Sequence, residues 1–233
     1  MTVRGGPQHI PRPPNATLGG PAPWAGAATP ALEDIRAALA SGRPPVPSPF
    51  EATSHTASAV LVPLYDEDGD VWVVLTRRSW QLRSHTGEVS FPGGRRDAGD
   101  VDLWDTATRE AMEEIALAPD DVEPIGELDH LATVTSQSFI VPYVGVLDGR
   151  PDLHRNEDEV DAILHVRLAE LLDPDVYREE RWSWEGHDRS IHFFELVGDT
   201  IWGATGSMLV DLLRRITVEA RPDHGARPAQ LDR

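Results

Sequence analysis

Three glutamates and an arginine in the middle of the chain are the residues whose types and spacing could do chemistry. Glu110, Glu113 and Glu114 stand at positions i, i+3 and i+4, directly after Arg109, so a helix would place them within one arc. Like charges at this spacing repel each other by about 0.2–0.5 kcal/mol per pair. A hard divalent cation such as Mg²⁺ binds carboxylate oxygens and would remove that repulsion. The pattern indicates either a solvated acidic helix face or a metal site, and the neighbouring sequence has to decide.

The segment before these glutamates carries the opposite charge. From Arg77 to Arg96 the sequence has five arginines and one histidine against a single acid, Glu88, in a chain of formal net charge −18. Arginine matches phosphate oxygens with paired N–H donors. Scattered solvated arginines are the alternative, but the position directly before the carboxylates favours phosphate binding. The predicted phosphate contacts are Arg77, Arg78, Arg83 and His85.

Missing residue types exclude several kinds of chemistry. The 233 residues include no cysteine, which excludes disulfides, thiolate nucleophiles and cysteine-type zinc sites. They include no lysine either, which excludes Schiff-base chemistry and the P-loop. The negative charge argues against nucleic acid polymers and anionic membranes as partners. Without an apolar run of membrane-spanning length or a secretory leader, the chain is predicted to be cytoplasmic.

Composition divides the chain into four parts. Residues 1–30 are rich in Pro, Gly and Ala without periodicity, which predicts a disordered arm. Residues 31–56 are predicted to form a short helix and a stiff Pro-rich connector. The domain is predicted to span 57–220, followed by a flexible tail at 221–233.

Within the domain, strand-like and helical patterns alternate. SAVLVPLY and DVWVVLTRR flank a turn and predict a hairpin, and the acidic helix is predicted at about 103–118, stopped by Pro119. Further strands, a second hairpin over RWSWEGHDRSIHFFELVG and a C-terminal helix at 207–220 follow. This order predicts an α/β domain with a mixed sheet.

The acidic helix and the turn before it resemble the signature of the Nudix hydrolases, G-x5-E-x7-R-E-U-x-E-E-x-G-U, where U is a bulky apolar residue. Gly94 is followed by five residues, Asp100, eight more residues and then REAMEEIAL at 109–117. Asp100 thus replaces the first Glu, the spacer is one residue longer, and Ala116 stands where Gly is usual. Ala111 is smaller than the usual apolar residue, but the charged core is intact.

A longer stretch resembles one branch of that family. LTRRSWQLRSHTGEVSFPGG at 75–94 is similar to the extra signature of the coenzyme A diphosphatase branch, whose box commonly has the same Asp and longer spacer. NEDEVDAI (156–163), LLDP (171–174) and IWGATGSML (201–209) also match, whereas SQSF (136–139) departs from the usual Ser-Gly-Phe. The resemblance covers about residues 57–215.

The resemblance implies an α/β/α sandwich with a mixed β-sheet, in which the box forms a loop–helix–loop. It implies Mg²⁺ or Mn²⁺ as cofactor, with Glu110 and Glu114 as principal ligands and Glu113 assisting. Arg109 would orient a box carboxylate or, alternatively, contact phosphate. The backbone at Gly93 and Gly94 would approach the metal and the phosphates.

The general base stays open at this point. A carboxylate must take a proton from the attacking water, and a box glutamate, Glu159 or Glu157 could do so. Two further pairs are weaker candidates for a role at the site. His187 and His192 suggest metal but fit a hairpin better, and Trp182 and Trp184 could stack an adenine or pack in the core.

By resemblance, the expected reaction is hydrolysis of the diphosphate of coenzyme A or its derivatives. The products would be 4′-phosphopantetheine, or its acyl form, and adenosine 3′,5′-bisphosphate. One alternative is a Nudix hydrolase of another nucleoside diphosphate derivative, such as ADP-ribose or a dinucleotide. The other is a non-catalytic ligand sensor. A small-molecule partner is implied in each case, and a homodimer is the assembly that the resemblance allows.

Overall fold

The computed structural model describes residues 3–51, 56–82, 84–133, 138–184 and 187–220. Arg83, Ser136, Gln137 and the predicted tail at 221–233 lie outside the described residues. The helices described are α1 (Leu32–Ser41), α2 (Leu103–Ile115), α3 (Leu168–Leu172) and α4 (Gly203–Thr217). The strands described are β1 (Thr17–Leu18), β2 (Ala57–Glu67), β3 (Asp70–Arg78), β4 (Val89–Ser90), β5 (Gly93–Arg95), β6 (Glu123–Glu127), β7 (Leu131–Thr133), β8 (Ser138–Val146), β9 (Val160–Arg167), β10 (Tyr177–Trp184), β11 (His187–Glu195) and β12 (Thr200–Ile201).

Strand β2 lies at the centre of the larger sheet. The order is β4-β3-β2-β8-β6, and β5, β7 and β9 add to β2, β8 and β3, respectively. Strand β2 is antiparallel to β3, which forms the predicted hairpin, and parallel to β8. The sheet is therefore mixed, as the sequence predicts. A smaller sheet, in the order β1-β10-β11-β12, includes the second predicted hairpin.

Helices cover both faces of the larger sheet. On one face, Ala107 and Ala111 of α2 share a buried cluster with Leu61 of β2. On the other face, Leu209 of α4 shares a larger cluster with Val62. Neighbouring residues of one strand thus serve two cores, as a side-chain period of two requires. The predicted α/β/α sandwich is confirmed.

The N-terminal arm differs from the sequence prediction over residues 3–30, which pack on the domain. Strand β1 pairs antiparallel with β10, and Trp24 is fully buried. The Trp24 ring stacks on Phe194 with centroids 6.0 Å apart and meets Tyr177 edge-on at 5.0 Å. A buried tryptophan removes a large apolar area from water, which offsets the entropy of ordering a Pro-rich segment. The composition of the segment does not show that one of its residues, Trp24, is buried in the core.

Helix α2, which carries the three glutamates, has defined ends. Asp102 at the N-cap accepts a hydrogen bond from the Asp105 backbone N–H at 2.9 Å. The helix ends at Ile115, earlier than predicted, because Ala116 adopts a left-handed conformation with φ of 57°. Alanine in that conformation costs about 1–2 kcal/mol, and glycine, usual at this position of the box, avoids the cost.

Helix α4 begins four residues before the predicted start, at Gly203, and ends at Thr217. Its N-terminal end, after Trp202, faces the β4–β5 region of the larger sheet. None of the helices in the described part of the chain is both long and apolar enough to cross a membrane.

Candidate active site

Strand β5 brings the two predicted glycines against α2. Gly93 has φ of +156°, and a Cβ there would lie 2.4 Å from the Ala59 carbonyl oxygen. A Cβ on Gly94 would lie 2.5 Å from the carboxyl carbon of Glu110. Only glycine lets the backbone pass this close to the carboxylate. The turn and the acidic helix therefore form one compact unit.

Arg109 lies at the centre of an ion-pair network on one side of this unit. Its Nε donates to Asp100 Oδ1 at 2.8 Å, and its Nη2 donates to Glu110 Oε1 at 3.0 Å. Its Nη1 donates to Glu113 Oε2 at 3.1 Å. A further bond runs from Nη2 to the Arg95 carbonyl oxygen at 3.1 Å. One guanidinium thus fixes two box glutamates and the loop in front of them.

Asp100 is the residue of this network that was not among the predicted site residues. Its carboxylate is buried and also accepts hydrogen bonds from the Thr106 hydroxyl at 2.8 Å and the Asp97 N–H at 2.9 Å. The hydrogen bond from Arg109, with these two, holds the pKa of Asp100 well below its usual range. The signal was available, because Asp100 occupies the first acidic position of the box.

Glu114, which lies one turn after Glu110 on α2, has a very different environment from Asp100. The residue is 4% exposed, and its Oε2 atom is buried without a hydrogen-bond partner. Burial raises the pKa of Glu114 to about 8, against the opposing charge of Arg78. The nearest contact between them joins Arg78 Nη1 and Glu114 Oε1 at 4.0 Å. Arg78 Nε is itself buried and unpartnered.

The other two predicted ligands are more accessible than Glu114. Burial raises the pKa of Glu110 also, partly opposed by its bond to Arg109. The Glu113 side chain is 57% exposed and points along α2 to Arg109. No group of three or more His, Asp or Glu side chains in the described ranges is arranged to hold a metal ion by itself. The roles of Glu110, Glu113 and Glu114 as metal ligands therefore stay predictions.

The two candidate bases in the 156–160 loop differ in what they face. The Glu159 carboxylate is exposed, and its charge contributes to the raised pKa values of both Glu110 and Glu114. Its backbone carbonyl accepts a hydrogen bond from the Ser79 N–H at 2.7 Å. Glu157 is exposed and pairs with Arg155 at 3.2 Å. Glu159 is thus the one of the two that acts electrostatically on the box.

A cleft of about 500 Å³ is lined by Arg78, whose Nη1 lies 4.0 Å from Glu114 Oε1, and by Gly93. The cleft therefore adjoins the box. His85 also lines it; it has φ of 55°, and its Nδ1 lies 3.0 Å from Glu88 Oε2. The remaining wall is largely apolar and is formed by Val60, Val89, Phe91, Ile140, Trp202, Ala204 and Met208.

The structure separates the arginines that the sequence groups together. Arg77 donates to Asp161 at 2.9 Å and, through Nη1, to both oxygens of Asp199 at 2.9 and 3.1 Å. It is not among the residues that line the cleft, whereas Arg78 is. Arg83 falls outside the described residues, so its predicted role stays a prediction.

The weaker aromatic and histidine candidates have other partners. His192 Nδ1 lies 2.8 Å from the Tyr177 hydroxyl, and burial lowers the pKa of His192. Trp182 packs between Phe193 and Trp202 and donates its indole N–H to Glu180 at 2.8 Å. The side chains of His187 and Trp184 lie outside what the structure describes.

Comparison with known proteins defines the class. A family model described as the NUDIX domain matches residues 55–188, more than half of the chain. The chain belongs to the Nudix family. The same fold occurs in the MutT/nudix family protein from Enterococcus faecalis, with a TM-score of 0.50 and 16% identity over 70% of this chain and 62% of that one.

Relatives with assigned names divide between plants, animals and bacteria. The chain is 39% identical to Nudix hydrolase 22, chloroplastic, of Arabidopsis thaliana, over 66% of this chain and 53% of the relative. It is 36% identical to the peroxisomal coenzyme A diphosphatase NUDT7 of Mus musculus, over 72% and 75%. It is 34% identical to the uncharacterized Nudix hydrolase NudL of Yersinia enterocolitica, over 75% and 88%. The chain spans about half the length of the two plant relatives that it matches, 53% of one and 56% of the other.

Proposed function

We propose that this chain is a metal-dependent hydrolase that cleaves the diphosphate of coenzyme A or a derivative of it. The observation that carries the proposal is the Glu114 carboxylate, which is buried, has one oxygen without a partner and lies beside the cleft. A buried carboxylate with one oxygen left without a partner destabilises a fold unless a cation or a proton neutralises it. A cation that binds beside Glu114 would neutralise this carboxylate.

Glu110 and Glu114 would hold the cation, and they fit Mg²⁺ or Mn²⁺. Mg²⁺ is commonly bound by one or two carboxylates, with water and substrate phosphates completing its coordination. A partial set of protein ligands is therefore what a diphosphate hydrolase of this type needs. When bound, the metal neutralises the phosphate oxygens and lowers the pKa of a coordinated water.

The residues around the box have separate tasks in this proposal. Arg109 orients Glu110, because its Nη2 donates to Glu110 Oε1 and its Nε is fixed by Asp100. Arg78 lines the cleft, where its guanidinium would bind a phosphate oxygen. Glu159 accepts the proton of the attacking water, since its carboxylate is exposed and its charge raises the pKa of both Glu110 and Glu114.

The cleft supports coenzyme A as the substrate class. The segment 75–94, which resembles the coenzyme A diphosphatase signature, supplies Arg78, His85, Phe91 and Gly93 to the cleft. A cationic end beside an apolar wall suits a ligand that joins phosphates to a long uncharged arm, as coenzyme A does. The mouse relative that bears the name of a coenzyme A diphosphatase is similar to this chain over 72% of this chain's length.

A product assay by mass spectrometry tests the proposal. Purified protein is incubated separately with coenzyme A, ADP-ribose and a dinucleoside polyphosphate, each with Mn²⁺ or with chelator. We expect metal-dependent release of adenosine 3′,5′-bisphosphate from coenzyme A. Hydrolysis of only the other two substrates would retain the diphosphatase chemistry and reject coenzyme A. Binding without hydrolysis of any of the three would favour a ligand sensor.

A further inference from the structure

The first residues of the arm lie across the turn that precedes β12. The Gly5 N–H donates to the Leu196 carbonyl at 2.6 Å, and the Gly6 N–H donates to the Thr200 hydroxyl at 3.0 Å. A Cβ on Gly6 would lie 2.7 Å from the Gly198 carbonyl oxygen, so the two backbones are in direct contact. This contact brings Gln8, two residues after Gly6, into the interior.

The Gln8 side chain is 7% exposed and uses both ends of its carboxamide. Its Nε2 donates to Asp199 Oδ1 at 2.8 Å and to the Gly87 carbonyl at 3.1 Å. Its Oε1 accepts from the Thr200 N–H at 2.9 Å. One side chain therefore joins three buried polar groups, which belong to the turn at Gly87 and to the 199–200 segment.

Gly87 belongs to the turn at 84–88, whose residues His85 and Glu88 line the cleft. The Gly87 N–H donates to the Arg78 carbonyl at 3.1 Å, and the Arg78 N–H donates to the Glu88 carbonyl at 2.9 Å. The Trp80 ring lies against Gly87, because a Cβ there would be 2.2 Å from it. The turn is thus attached to Arg78 by its own backbone and to the arm by Gln8.

Asp199 extends this connection to the other arginine. The carboxylate that receives the Gln8 amide also receives two hydrogen bonds from Arg77, and Arg77 in turn contacts Asp161 near the Glu159 loop. Gln8 therefore lies where the arm, the cleft turn and the β3–β9 edge meet.

We propose that Gln8 is a positioning residue for the cleft, which holds the 84–88 turn, and so His85 and Arg78, in the geometry that binds substrate. Gln8 does not line the cleft, so it acts through Gly87. Gln8 also precedes the region that the family model matches, residues 55–188. Part of the substrate site is then set by a segment outside the family domain. The kinetic part of this inference rests on the proposed function.

Loss of the carboxamide leaves the Gly87 carbonyl and the Thr200 N–H without their partner and frees the turn on its outer side. We expect KM to rise about 3–10-fold, the effect of roughly one hydrogen bond, with kcat within about twofold. We do not expect the proposed metal ligands to be displaced, because none of the hydrogen bonds described for Gln8 reaches α2. A merely structural defect would lower the active fraction and kcat instead.

The test compares Gln8→Met with Asn15→Ala in the full chain. Asn15 belongs to the same arm and donates to the Ser183 carbonyl at 3.2 Å, on the smaller sheet. Hydrogen–deuterium exchange of peptides that include Arg78, Gly87 and Glu88 is measured without substrate. KM and kcat are measured on whichever diphosphate the wild type hydrolyses. Gln8→Asn, which keeps a shorter amide, replaces Gln8→Met if the latter does not fold.

The expected result is faster exchange in the 78–88 peptides and a raised KM for the Gln8 variant, with neither change for Asn15→Ala. Unchanged exchange would overturn the inference, and so would faster exchange with an unchanged KM. If the wild type hydrolyses none of the diphosphates, the proposed function fails, while the exchange comparison still decides whether Gln8 holds the turn.

Discussion

Two carboxylates of the Nudix box, Asp100 and Glu114, are both buried but have opposite electrostatic environments. Asp100 has hydrogen bonds from Arg109, Thr106 and a backbone N–H, and its pKa is held low. Glu114 has an oxygen with no partner, and its pKa is raised to about 8. The first environment stabilises the charged form within the fold itself, whereas the second leaves the charge to be neutralised by something that binds.

The two arginines beside these carboxylates show the same contrast. Arg109 donates from Nε, Nη1 and Nη2 to three carboxylates and to the Arg95 carbonyl at the end of β5. Arg78 stands 4.0 Å from Glu114 and has a buried Nε without a partner. We therefore expect the Asp100–Arg109 region to stabilise the site and the Glu114–Arg78 region to bind the proposed ligand.

The largest expected effect comes from Glu114→Gln. Replacing the carboxylate by an isosteric amide removes the proposed metal ligand, and we expect kcat to fall at least about 100-fold, more than when a group that orients a ligand is lost. The measurement is the initial rate of product release with saturating Mn²⁺. The fold should persist, because the amide has no charge to bury. A rate within tenfold of the wild type would contradict the role assigned to Glu114.

The next effect concerns stability rather than turnover. Asp100→Asn removes the charge that Arg109 and Thr106 share, and we expect the free energy of unfolding to fall by about 1.5–3 kcal/mol, as for other buried hydrogen bonds to charged groups. Urea denaturation measures it. Asp97→Asn is the matched control, since that exposed side chain lies in the same loop. Equal stability of the two variants would mean that Asp100 does not build the site.

The two carboxylates should also give the stability opposite pH dependences in the metal-free protein. Asp100 has a lowered pKa, so its contribution is complete above its ordinary value near 3.8 and is lost as the pH falls. Glu114 has a raised pKa, so between about 4.5 and 8 the folded state binds more protons and stability falls as the pH rises. With chelator present from pH 5 to 8, the wild type should lose stability relative to Glu114→Gln. A constant difference between the two would contradict this.

Part of this site follows from the sequence because its information is local. The spacing of Glu110, Glu113 and Glu114 on α2 and the turn at Gly93 and Gly94 lie within one short segment. Helical periodicity is enough to bring these residues together. The roles of Asp100, Arg77 and Arg78 are harder to predict from local spacing. Arg77 and Arg78 are consecutive on β3, but the pairing of β3 with β9 shifts register between them, so the strand period of two does not by itself predict which of them lines the cleft.

The rest depends on contacts between residues far apart in the sequence. Trp24 packs against Phe194, and Gln8 donates a hydrogen bond to Asp199. Neither contact can be predicted from a local sequence pattern. Because composition does not show these contacts, the Pro- and Gly-rich arm is predicted to be disordered. Folding of such a segment is decided by a few tertiary contacts, which no window of sequence contains.

The smallest expected effect on stability and turnover is that of Glu113→Gln. It tests whether Glu113 belongs with the Asp100–Arg109 region or with the Glu114–Arg78 region. Glu113 is 57% exposed and pairs with Arg109 on the surface of α2, so the free energy of unfolding should change by less than about 0.5 kcal/mol. Turnover should fall less than about tenfold, because Glu110 and Glu114 hold the cation without it. Denaturation and initial rates are measured beside Glu114→Gln. A loss as large as that of Glu114→Gln would show that Glu113 leaves Arg109 when the metal binds, and the box would then act as one unit of three carboxylates.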